Sequence, residues 1–176
     1  MSKVGRQMST SFTLPIVAAG GLAVKTFADF EQEMAKVKAV SGATGAEFTK
    51  LEKLAKDLGA STRFTASEVA TLQLNYSKLG FVPDQIEKIT KPTLDLALAT
   101  GEDLAESAEV AGGVLRSFGK QAEDMPGVVD VMALSFSSSA LNLEKFRDSM
   151  KSAAPVANAV GASLEDTTAI ISTMVD

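Results

Sequence analysis

The chain has 176 residues, 45% of them hydrophobic, which is enough apolar material for one ordinary domain with a core and too much for a disordered chain. Histidine, cysteine and tryptophan are all absent, so Cys–His pairs, Ser–His–Asp triads, imidazole bases and zinc sites of Cys or His are excluded. The net charge of −5 conceals an asymmetry: residues 1–91 hold 12 bases and 9 acids, whereas 92–176 hold 5 and 13, a balance that repels phosphate backbones.

In chain order, the first element is an apolar run from Phe12 to Val24, preceded by Lys3 and Arg6. It admits three readings: a hairpin or helix start, with Thr13 and Pro15 suiting the latter, that packs on protein; a secretory signal; or a membrane-active segment. Pro15, Gly20-Gly21 and Lys25 leave it about 13 residues long, short of the roughly 20 needed to span a bilayer. As a helix it would continue through Gly20 and Ala23 into the next stripe. The chain therefore divides into a Gly/Ala-rich leader or helix start, 1–25, and a helical region, 26–176.

From there apolar residues alternate at three and four: Phe27, Phe30, Met34, Val37; then Phe48, Leu51, Ala55, Leu58; then Val69, Leu72, Tyr76, Leu79. The rhythm returns in Leu104, Ala108, Ala111, Leu115, Phe118 and in Phe146, Met150, Ala153, Ala157, Val160, one buried stripe per helix. Glycines follow these stripes at Gly59, Gly80, Gly101, Gly119 and Gly161, each read as a left-handed helix stop. Between the last two, Ser137-Ser138-Ser139 supplies a missing turn and Asn142 a cap. Thr65-Ala66-Ser67-Glu68 reads as a capping box, Ser163 to Asp166 as a looser one, and Pro83 and Pro126 suit first turns. Pro92 and Pro155 fall inside helical patterns and are expected to kink or split them. The β-branched cluster Val128-Val129-Asp130-Val131 is too short and too flanked by helix signals to need a sheet. The expected fold is all-α: a multi-helix array or bundle of short helices joined by glycine turns, with no sheet. The unit opened by Ser163, with Leu164, Ile170, Ile171 and Met174, lacks a stop signal at Asp176, so the chain is expected to be a piece of a longer protein.

Candidate chemistry is sparse. Glu102, Glu106 and Glu109 share a helix face away from the Leu104–Phe118 stripe, where solvation keeps carboxylates ionised, and with Asp103 they lack the alternating donors of a calcium loop. Ser61 and Ser163 sit outside any strained nucleophile turn, and Gly42-Ala43-Thr44-Gly45 is a loop between helices rather than a dinucleotide site. Lys50, Lys53 and Lys56 beside Glu52 and Asp57 make a mixed-charge outer face, not a nucleic-acid stripe. Met34, Met132, Met150 and Met174 are core or partner-facing filler. No catalytic, cofactor-binding or metal residue is assigned, and no cofactor is expected.

Phe30-Glu31-Gln32-Glu33-Met34-Ala35-Lys36-Val37-Lys38-Ala39-Val40-Ser41-Gly42-Ala43-Thr44-Gly45, followed by Phe48, Leu51, Leu54, Ala55, Leu58-Gly59 and Thr65 to Glu68, resembles the conserved N-terminal region of phage tail tape-measure proteins. The likeness extends upstream through Met8-Ser9 and Thr13-Leu14-Pro15, and downstream through Leu79-Gly80-Phe81, Leu96-Ala97, Ala153 to Ala157 and Gly161 to Glu165. The resemblance implies a structural protein of a phage or prophage, not an enzyme, acting in tail assembly and tail-length determination. Its implied partners are the tail tube protein, tail assembly chaperones, tail-tip proteins and other copies of itself. No nucleic-acid binding by this segment is expected, and membrane contact is open only through Phe12–Val24. The implied location is the lumen of the virion tail, after assembly in the host cytoplasm. A secreted or membrane-active helical protein is the alternative. Wholly helical, 176 residues would span roughly 260 Å at 1.5 Å per residue, but the breaks predict a compact lump rather than a rod.

Overall fold

A computed structural model describes the backbone of residues 14–175 and the side chains of 26–175. Eight α-helices and one 3-10 turn make up the described residues, and no strand occurs among them: α1 Leu14–Ser41, α2 Gly45–Ser61, α3 Ala66–Lys78, α4 Pro83–Thr100, α5 Leu104–Ser117, the 3-10 turn Ala122–Asp124, α6 Met125–Ser138, α7 Leu143–Val160 and α8 Leu164–Val175. The expected all-α array is the fold observed. Its leader expectation falls partly on residues 1–13, which lie outside the described residues; from Leu14 the backbone runs as one helix to Ser41.

Local sequence sets most boundaries. Thr65 Oγ1 accepts from the Glu68 N–H at 3.2 Å while the Thr65 N–H donates to Glu68 Oε2 at 2.7 Å, a reciprocal cap on α3. Asn142 Oδ1 accepts from the Lys145 N–H at 2.9 Å, and Ser163 Oγ from the Asp166 N–H at 3.0 Å, opening α7 and α8. Gly101 and Gly161, at φ 75° each, close α4 and α7 in the left-handed conformation the spacing predicted.

Gly59 departs from that expectation. The helix runs through it to Ser61, and its φ is not positive. Its glycine serves close approach instead: a Cβ there would stand 2.4 Å from the Ala66 nitrogen, where α3 begins. Neither internal proline splits its helix, since α4 is continuous through Pro92 and α7 through Pro155. Each proline removes one backbone donor, while buried residues on both sides, Ile89, Thr93 and Leu94 in α4 and Met150, Ala154 and Ala157 in α7, hold the two halves in one packed line.

The helices pack by a simple rule: each packs against the helix two places on, α1 with α3, α2 with α4, and so through α6 with α8. The odd-numbered helices thus form one layer and the even-numbered ones another. Crossings between consecutive helices, α2 with α3, α3 with α4, α4 with α5, α5 with α6 and α7 with α8, tie the layers together. Isolated helices of 12 to 18 residues are marginal in water, so this burial is what makes them persist. The core runs through Met34, Val37, Leu51, Leu72, Ile86, Leu94, Leu115, Met132 and Phe146, all buried. Gly112 lets α5 approach α3, because a Cβ there would lie 3.0 Å from the Tyr76 ring and 3.1 Å from Leu79.

Two stripe assignments are corrected. Phe27 is 58% exposed and Val160 74% exposed, although both fall in register with buried neighbours. Periodicity marks which side of a helix is apolar; it cannot say whether a neighbouring helix reaches that turn.

Candidate functional site

A polar seam crosses the interior. Gln73 on α3 donates from Nε2 to the Leu51 carbonyl of α2 at 3.0 Å. The Tyr76 hydroxyl is hydrogen-bonded to Thr93 Oγ1, and since Thr93 donates its own proton to the Ile89 carbonyl at 2.8 Å, Tyr76 is the donor of the pair. Burial pushes the Tyr76 phenol well above its ordinary pKa, so it stays neutral and cannot act as a base. Gln73 Oε1, Ser107 Oγ and Thr168 Oγ1 are buried without a protein partner. The hydrogen bonds of Gln73 and Tyr76 tie α3 to α2 and to α4.

The acidic residues are distributed among structural tasks. Asp103 caps α5, its Oδ1 accepting from Ala105 N–H at 2.9 Å and Glu106 N–H at 3.1 Å. Glu102 precedes the helix in the turn after Gly101, so it does not share the α5 face predicted for it; the helix starts at Leu104. Glu106 binds Arg147 Nη1 at 2.6 Å and joins α5 to α7. Arg147 is held above its usual pKa, chiefly by its hydrogen bond to Asp148, and Asp148 is held low by Arg147 and Lys151. Glu109 lines an open depression with Asn75, Lys78, Leu79 and Arg147. Among the described residues, no group of three or more carboxylates is arranged to hold a metal ion.

The lysine face behaves as a mixed-charge surface. Lys53 pairs with Asp57 at 2.6 Å, Lys56 with Glu52 at 2.5 Å, and Lys50 reaches Glu87 of α4 at 3.3 Å. Ser61 closes α2 by donating to the Asp57 carbonyl at 2.7 Å, and Ser163 caps α8, as turn and cap residues do. No helix among the described residues is long and apolar enough to cross a membrane.

The feature that periodicity alone missed lies at the end of the array. Between α7 and α8 runs an open groove of about 690 Å³, with Ala153 and Ala157 toward its floor and Val156, Val160, Ile170 and Met174 on its banks. These last four are 65%, 74%, 60% and 79% exposed. Among the described residues, no ionisable side chain lines the groove. The signal was present in sequence only as an apolar stripe in α8 with no stop. The groove is an open apolar surface rather than an enclosed cavity.

Among the described residues the molecule is an array of short helices, with lysine–carboxylate pairs on the outside of α2 and an apolar groove between α7 and α8. Its sequence places it: residues 52–176 match the model of the phage-related minor tail protein family, and the chain belongs to that family. Over all 176 residues it is 35% identical to the tape measure protein of Pneumococcus phage Dp-1, and over 167 residues 31% identical to the probable tape measure protein of Escherichia phage P2. The chain spans only 15% and 20% of those two relatives' lengths. No solved structure matches it.

Proposed function

We propose that this chain is the compact helical module of a tail tape-measure protein, taking part in tail assembly while other segments of the full-length protein set the length. The observation that carries the reading is the two-layer array itself, taken together with the likeness to two tape-measure proteins along essentially the whole chain. Length measurement by an extended helix needs about 1.5 Å of rod per residue. A chain folded back on itself at every turn from Gly42 to Gly161 cannot supply it.

The module, residues 26–176, acts by binding protein: the tail tube protein, assembly chaperones, tail-tip proteins or another copy. Its place is the tail lumen, entered from the host cytoplasm during assembly, and its role is structural rather than catalytic. The test is an in-frame deletion of α3 through α5, residues 66–117, in a phage that carries this region. Electron microscopy should show tails absent or misassembled. Tails that form normally but shorten by about 80 Å, the length of the deleted residues as a rod, would overturn the division of labour.

A further inference from the structure

An open track follows the seam between α3 and α5 and continues between α5 and α7. It is made of three depressions, of about 310, 530 and 270 Å³, that run into one another: Ala105 lines the first and second, and Leu79, Glu109 and Arg147 line the second and third. The track lies across α3, α5 and α7 within the array, and helices added two places further on would extend the layers past α7 and α8, not over it. We propose that this track seats one helix of a protein partner, running antiparallel to α3 and α5, with acidic residues in its first turn and basic residues in its last. The inference deepens the reading of the array as a protein-binding module and rests on it.

Direction and charge select the occupant. Glu68, Thr71 and Leu72 at the start of α3 share the first depression with Leu104 and Ala105 at the start of α5, and a Cβ on Gly112, late in α5, would touch Tyr76 and Leu79 late in α3. The two helices are therefore parallel, and the Arg147–Glu106 pair brings the start of α7 alongside the start of α5. In consequence the track has one acidic end, with Glu68, Glu102 and Asp103, and a far end where Lys78 and Lys151 stand. Helices favour acids in their first turn and bases in their last. An ordinary helix laid antiparallel matches both ends of the track at once, and one laid parallel opposes both.

Two further observations mark the track. On the even-numbered layer each lysine of α2 and α4 stands within 3.3 Å of a carboxylate. Lys78 and Glu109, which line the second depression, pair with no described residue. The adjacent glycines of α5 also differ in what they serve. Gly112 makes room for Tyr76 and Leu79, whereas a Cβ on Gly113 would meet nothing within 4 Å among the described residues. Glycine inside a helix weakens it relative to alanine, and no described contact calls for one at Gly113. It lines the third depression, where bare backbone lets an outside helix come close. From Leu104 to Ser117 the track follows 14 residues, about 20 Å, the length of a four-turn helix. So short a contact falls below the roughly 800 Å² per partner of a standard interface, and binding should be reversible, with a dissociation constant on the order of 100 µM.

Titration of a fluorescent peptide of about 14 residues into the full chain tests this. The peptide carries glutamates in its first turn, leucine and alanine along one face and lysines in its last turn, and is stapled on its outer face so that it is helical when free. It should bind saturably, and a version with glutamine at every charged position should bind at least about fivefold more weakly. Gly113→Leu enters open space with a better helix former, so its thermal melt should not fall, while peptide binding should weaken about tenfold or more. Lys78→Glu should weaken binding about fivefold, and Lys53→Glu, on the outside of α2, should leave it unchanged. The chain has no cysteine, so a cysteine at the peptide's N-terminus should form a disulfide with Ser117→Cys and not with Glu102→Cys. The proposal is overturned by no binding up to about 1 mM, equal binding of the glutamine version, indifference to Gly113→Leu, or cross-linking through Glu102→Cys alone. Failure of the peptide leaves the tail-deletion result untouched, and proportional tail shortening leaves the peptide titration untouched, so the two failures are distinguishable.

Discussion

The two ends of the array are built from the same kind of helix and finished differently. At the beginning, the apolar side of α2 is spent inward on Leu51, Ala55 and Leu58, and its outside is laced with lysine–carboxylate pairs. At the finish, α7 and α8 bury Phe146, Met150, Leu164 and Ile171 yet still present four large aliphatic side chains to solvent. Stacked helical arrays need polar outer faces where they meet water. Among the described residues, the surface of α2 has that polar character and the groove between α7 and α8 does not.

The largest effect that would sharpen this contrast comes from equal truncations at the two ends. Leu51→Ala removes a fully buried side chain and should lower stability by about 2–5 kcal/mol. Ile170→Ala, on the open end, should change it by less than about 0.5 kcal/mol in dilute solution. Chemical denaturation of both variants in dilute solution is the check, and equal losses would mean that Ile170 is packed as closely as Leu51.

Glycines give the next effect, and they divide by mechanism. Gly59→Ala places a Cβ against the backbone of Ala66, which cannot yield like a side-chain tip, and should cost about 3 kcal/mol. Gly80→Val, at φ 82°, pays for left-handed backbone instead and should cost about 1–2 kcal/mol. Thermal melts showing Gly59→Ala to be harmless would remove the close-approach account of the α2–α3 corner.

The smallest effect concerns Lys88, which bridges Asp84 of its own helix and Glu123 of the 3-10 turn at 2.7 Å each. Lys88 lowers the pKa of both carboxylates, mainly through these hydrogen bonds. A carboxylate depressed in the folded state contributes stability above its unfolded pKa, near 4, and loses it as pH falls through the folded value. Lys88→Gln should therefore melt slightly below the wild type at pH 6 and converge with it near pH 2.5. A gap of constant size across that range would show that the lysine acts through packing rather than charge.

Much of the fold was legible because its signals are local. Thr65 with Glu68, Asn142, Ser163, Gly101 and Gly161 act within one helical turn, and the structure uses each as its spacing foretold. The misses have two causes. Gly59 looked like a stop because its reason for being glycine is Ala66, which approaches only after α2 and α3 fold together. Glu102 was placed on the α5 face because helix spacing was extended one turn too far, past the Asp103 cap. Of the groove, only the ingredients were visible.

Sequence by itself determined that this chain is helical, where most of its helices begin and end, that it lacks imidazole and thiol chemistry, and which family it resembles, since these depend on composition and on contacts within a few residues. Tertiary structure alone decided that helices pair two places apart, that Phe27 and Val160 stay in water while Phe30 and Ala157 do not, and that an apolar groove lies between α7 and α8. The reason is physical: a hydrophobic stripe specifies that a face will be covered, and only the arrangement of the other helices specifies whether anything within the chain is there to cover it.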